Sequence, residues 1–225
     1  MLEKLPESVG RALQGQRSGI ENIAFRQLLR VREVARLAVR SGAFENMGAI
    51  PVQFTADGDG VSPPLEWHGV PAAASCVALI MEDADSPTPH PLVHAIAVAA
   101  GGDGSWVSGA LNDAGCDDAA ERGARAQPGI EMGLNSYLQR NWLAPDPPPG
   151  HGPHRYAFQL FALDQTPPFS RAPGRQELLD AILRCALAAG CLIGTYERRR
   201  RQPITDADAD AAVAPADEAA APATA

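Results

Sequence analysis

The chain has 225 residues, 45% of them hydrophobic, and its 19 Lys plus Arg against 27 Asp plus Glu give a net charge of -8. That length allows one domain with extensions, or at most two small domains. The acidic balance argues against non-specific nucleic-acid binding, which depends on neutralising phosphates, and no apolar run approaches the length of a stable membrane span.

The first residues lack the apolar stretch of a secretory signal, so the expectation is a soluble, cytoplasmic protein. Cys76, Cys116, Cys185 and Cys191 form no CxxC pair. They read as small hydrophobes in a reducing compartment rather than as a zinc site or disulfide framework.

Residues 1–17 are polar and contain glycine. Ser18 and Glu21 have the spacing of a capping box, and Ile20, Ile23, Ala24, Leu28 and Val31 follow at helical spacing, which predicts a helix over 20–32. Arg26, Arg30 and Arg32 make its polar side basic. Such a helix can bind a membrane surface, but this stripe is short and poor in aromatics, which favours packing on its own domain or on a partner subunit.

Residues 37–41 alternate like a strand, and Asp57-Gly58-Asp59-Gly60 is turn chemistry. Residues 76–81 form an apolar run of strand length that ends in Glu82, Asp83 and Asp85, and a second apolar run, 92–98, contains His94. Residues 101–129 read as loop. Residues 155–162 predict a strand with Tyr156, Phe158 and Leu160 on one face. Residues 176–189 predict a helix capped by Gly190, and 192–196 a closing strand. Four arginines at 198–201 precede an alanine- and acid-rich segment, 202–225, that reads as a disordered tail.

The polar residues at the strand ends are the candidates for chemistry. Asp83 and Asp85 are two apart and in extended chain point the same way. An unpaired imidazole inside an apolar strand is costly, so His94 requires a partner, and a nearby carboxylate would serve. The run Pro147-Pro148-Pro149-Gly150-His151-Gly152-Pro153-His154 is stiff, since prolines fix φ and glycines permit close backbone approach. A stiff loop that carries histidines into a strand suits a binding site. His151 itself fits an exposed loop position equally well.

In this order the motifs resemble the phosphatidylethanolamine-binding protein family, including its Raf-kinase-inhibitor-like bacterial branch. The carrying segments are Ser62-Pro63-Pro64-Leu65-Glu66-Trp67 with Gly69-Val70-Pro71, Glu82-Asp83-Ala84-Asp85-Ser86-Pro87 with Val93-His94, Gly133 to Tyr137, Pro147 to Tyr156, and Gly194-Thr195-Tyr196. The resemblance spans 37–197. It leaves 1–36 as an N-terminal extension with the amphipathic helix and 198–225 as the tail.

The resemblance implies a mainly β fold with peripheral helices, an antiparallel β-sandwich in which a large central sheet packs on a smaller one. It implies a pocket for phosphate-like or carboxylate-like anions, with Asp83, Asp85, His94, His154 and Tyr156 inside and residues 144–152 as the rim, Ala144 and Gly152 among them. The chain departs from the family pattern at Ala84 where proline is common, at Ala95 where an aromatic commonly follows the pocket histidine, at Ala144 where glycine is expected, and at Asp146, an added acid.

The expected function is non-enzymatic binding of a phosphate-like or phospholipid head-group ligand, with a kinase or other phosphoprotein as a candidate partner and a second copy of the chain as another. In this picture Asp83 accepts a hydrogen bond from one histidine, while His94 and His154 donate to the anion. No cofactor or metal is expected. The rival is a hydrolase or metal-dependent enzyme using the Asp/His cluster, although the chain has no nucleophile elbow, HExxH or Walker loop.

Overall fold

The computed structural model describes residues 6–112, 129–167 and 171–198. Cys116, part of the 101–129 loop, the arginines at 199–201 and the acidic tail lie outside them.

Three helices, α1 (Glu7–Leu13), α2 (Ala24–Val31) and α3 (Arg175–Cys185), accompany nine strands. The strands are β1 (Ala35–Arg36), β2 (Ala38–Arg40), β3 (Leu65–His68), β4 (Cys76–Asp83), β5 (Leu92–Ala100), β6 (Gly104–Trp106), β7 (Glu131–Met132), β8 (His154–Leu163) and β9 (Ala186–Tyr196). A six-stranded sheet has the order β1-β9-β8-β4-β5-β7, and a three-stranded sheet the order β2-β3-β6. Every pair is antiparallel except β1 with β9.

The large sheet is buried on both faces, which explains why β4 reads as an unbroken apolar run. Val77, Leu79, Met81, Phe158 and Leu160 join Leu65, Trp67 and Trp106 of the small sheet in one core. Ala78, Ile80, Ile96 and Phe161 form a second core with Ala24 and Leu28 of α2 and Leu178 and Ile182 of α3. The fold is thus a β-sandwich with helices on its outer face.

Four local expectations change. Residues 104–106, read as part of a loop, form β6 and pair with β3. Ser18 caps no helix: its hydroxyl bonds to the backbone carbonyls of Asp83 and Ala84 and to Ser86, while α2 starts later, after Ile23. The polar N-terminal stretch contains α1. Helix α3 ends at Cys185 rather than running to Ala189, because residues 186–196 pair with β8 down to Leu163. There the ladder outweighs the helix propensity of alanine. Gly190 is therefore not a helix cap but a strand residue under close backbone, where a Cβ would lie 2.5 Å from the Leu37 carbonyl oxygen.

Register brings the candidate residues to one end of the large sheet. Asp83 pairs with Leu92 on one side and Tyr156 on the other. On β5, Met81 pairs with Ala95 but Glu82 with Val93, so the ladder skips His94. His94 sits in a β-bulge, a device that re-aims one side chain out of the alternating pattern.

Candidate functional site

A cavity of about 520 Å³ opens at this end, lined by Asp83, Ser86, Leu92, His94, Leu143, Ala144, Asp146 and His154 among others. Asp83, His94 and His154, far apart in sequence, therefore share one cavity. Ala144 is on its wall. Gly152 is not: its φ of +90° turns the loop before His154, and a Cβ there would meet Arg17 at 3.4 Å. Tyr156, expected inside the pocket, is wholly buried behind the lining and packs on His94.

His94 is 3% exposed. Its Nδ1 lies 2.8 Å from the Leu143 carbonyl oxygen. A carbonyl only accepts, so Nδ1 carries the hydrogen, and the neutral ring presents a bare Nε2. That Nε2 is buried without a partner, as is the hydroxyl of Tyr156. The two rings meet edge to face with centroids 5.3 Å apart. Burial pushes the His94 pKa down, partly opposed by the Asp83 charge. Burial, with Asp83 nearby, holds Tyr156 protonated well beyond its ordinary range. Buried polar atoms are nearly always satisfied, yet these two neighbouring rings each carry one without a protein partner.

His154 plays a different part from the one expected. Its Nδ1 is 2.7 Å from Asp83 Oδ2, and its Nε2 is 2.7 Å from His151 Nδ1. Both ring nitrogens are engaged, so His154 has no N–H to offer a ligand. The second Asp83 oxygen accepts the backbone N–H of Asp85.

Asp85 does not line the cavity. Its oxygens take the Arg155 guanidinium, the Arg155 backbone N–H and Arg17. Burial alone would raise its pKa, but these hydrogen bonds and charges hold it down at about 2. Asp146, on the rim, pairs with Arg198. Each of these three carboxylates thus has a cationic or imidazole partner.

Sequence reasoning missed Arg17, Arg155 and Arg198, which neutralise the acids, and the burial of His151. Arg155 stood in the quoted motif, but its pairing with Asp85 depends on the β4–β8 register. Among the described residues, no three His, Cys, Asp or Glu side chains converge as metal ligands, and no helix is long and apolar enough to cross a membrane.

A family model for phosphatidylethanolamine-binding proteins matches residues 40–197. The chain belongs to that family. A UPF0098 protein of Methanothermobacter thermautotrophicus is 32% identical over 160 residues, covering 71% of this chain and 98% of the relative. A UPF0098 protein of Mycobacterium tuberculosis is 34% identical over 163 residues, covering 72% and 70%. A solved phosphatidylethanolamine-binding protein homologue from Chlamydia trachomatis superposes with a TM-score of 0.61 at 28% identity, covering 72% of this chain and 98% of the other. YbcL of E. coli, at 21% identity, shares the fold with a TM-score of 0.63, over 73% and 99%.

Proposed function

We propose that this family member is a non-enzymatic binding protein whose cavity takes a phosphate-type head group, free, on a lipid or on a phosphorylated partner, together with one proton. The observation that carries this reading is the unpartnered Nε2 of His94, a residue of the cavity lining. A fully deprotonated phosphate has only acceptor oxygens, and neutral His94 offers only an acceptor. One proton must therefore enter with the ligand, either on a phosphate oxygen that donates to Nε2 or on Nε2 itself. The Tyr156 hydroxyl, in the ring packed edge to face on His94, is a candidate second donor.

Calorimetry with phosphoethanolamine, inorganic phosphate and a phosphoserine peptide tests this on the full chain. The expected result is up to one proton taken up on binding, read from buffers of different ionisation heat. Affinity should fall by up to about tenfold per pH unit above the second phosphate pKa, which lies near 6. His94→Phe should weaken binding more than about tenfold with the fold intact. Equal binding by that variant, or no proton uptake, rejects the reading. Hydrolysis of any of these ligands would favour the enzymatic alternative.

A further inference from the structure

Three short contacts run in series behind the cavity wall. Asp83 Oδ2 meets His154 Nδ1 at 2.7 Å, His154 Nε2 meets His151 Nδ1 at 2.7 Å, and His151 Nε2 meets the Leu13 carbonyl oxygen at 2.8 Å, with the Gln16 carbonyl oxygen at 3.2 Å. Each contact needs one hydrogen. Carbonyl oxygens cannot donate, so His151 Nε2 must carry its own. A neutral His151 then has a bare Nδ1, and the middle hydrogen belongs to His154 Nε2. The first hydrogen lies between His154 Nδ1 and Asp83.

The three side chains together hold three protons, one more than a carboxylate and two neutral imidazoles would carry. Burial and the neighbouring His154 push His151 toward its neutral form. The extra proton therefore rests between His154 and Asp83, and the unit as a whole has no net charge. The other charged or titratable groups around it are Arg17 on the N-terminal side, Asp85 with its Arg155 partner beside Asp83, and His94 and Tyr156 toward the cavity.

The last acceptors in this series belong to the N-terminal segment, which crosses the proline-histidine loop. Gly10 packs so closely that a Cβ would lie 1.9 Å from the Pro149 carbonyl oxygen. Gln14 donates to the Gly150 carbonyl, and Arg17 to the carbonyls of His151 and Pro153. Residues 6–19 thus fix which nitrogen of His151 bears hydrogen.

We propose that His151 is a positioning residue through which the N-terminal segment keeps a proton on the His154–Asp83 pair, so that the pocket wall carries no net negative charge. With the segment displaced, His151 loses its fixed acceptors and can take the opposite tautomer. His154 can then release a proton and leave Asp83 as an uncompensated anion at the cavity. The segment becomes part of the site although it never touches the ligand. The protonation claim stands on the hydrogen-bond series together with the burial that keeps His151 neutral, and only its consequence for affinity rests on the phosphate reading.

The test is ¹⁵N NMR of the histidine rings in the full chain at pH 7.5. Wild type should show His154 protonated on both nitrogens and His151 on Nε2. His151→Gln, which keeps an acceptor toward His154 and a donor toward Leu13, should preserve the doubly protonated His154. His151→Leu should leave His154 singly protonated, as should Gly10→Val, which unseats the segment with His151 intact. A singly protonated His154 in wild type overturns the proposal, as does a doubly protonated one in Gly10→Val. Phosphate titration of Gly10→Val should show at least threefold weaker binding. Unchanged affinity alongside the expected ring states removes the link to the ligand and leaves the protonation claim standing.

Discussion

Glu82 and Asp83 are adjacent acids on β4 that face opposite sides of the same sheet, and they differ in how completely their surroundings are satisfied. On the helix side, Glu82 is fully buried, and its oxygens hold Arg175, the Ala24 backbone N–H at the start of α2, and Gln159. It ties α2, α3 and β8 together, and no buried polar atom around it is left open. On the other side, the surroundings of Asp83 include the bare Nε2 of His94 and the unpaired hydroxyl of Tyr156. The first network is closed, whereas the second leaves two buried polar atoms without a protein partner.

The largest effect should come from breaking the closed side. Glu82→Ala takes an acceptor from the half-buried Arg175 guanidinium, the Ala24 N–H at the start of α2 and the Gln159 amide, and should cost about 3 kcal/mol in chemical denaturation. Affinity of the remaining folded protein for phosphate should be nearly unchanged. A large loss of affinity at full stability would reverse the assignment of the two faces.

Asp85 gives the next largest effect. Its folded-state pKa of about 2 lies below the ordinary carboxylate value. Its contribution is therefore complete above about pH 4 and is lost as the pH falls toward 2. The shift corresponds to roughly 2 kcal/mol. Denaturation curves between pH 5 and 2 should show this loss in wild type and a flatter dependence in Asp85→Asn.

The smallest effect belongs to the open side. Tyr156→Phe removes a hydroxyl with no protein partner, so stability should stay within about 0.5 kcal/mol, while phosphate affinity should fall about three- to tenfold, the value of one hydrogen bond. A stability loss above that range would mean that the hydroxyl is already satisfied by water in the unliganded protein.

Much of this molecule is legible in its sequence. An apolar run ending in acids marked β4, a second apolar run containing His94 marked β5, alternation marked β8, and the ordered motifs pointed to the family and to the strand ends where Asp83, His94 and His154 gather. Local chemistry sufficed there because strand patterning and stiff proline turns are properties of a few consecutive residues.

The roles within the site came only with the three-dimensional structure. A bulge, invisible in the alternation of residues 92–98, turns His94 into the cavity. Cross-strand register gives Asp85 to Arg155 rather than to the pocket. A polar N-terminal stretch without a strong pattern of its own supplies the carbonyls that bind His151, and His151 in turn occupies the second nitrogen of His154. Which nitrogen is bare and which carboxylate is neutralised depends on partners up to 138 positions apart in sequence, and no short window of residues encodes such a meeting.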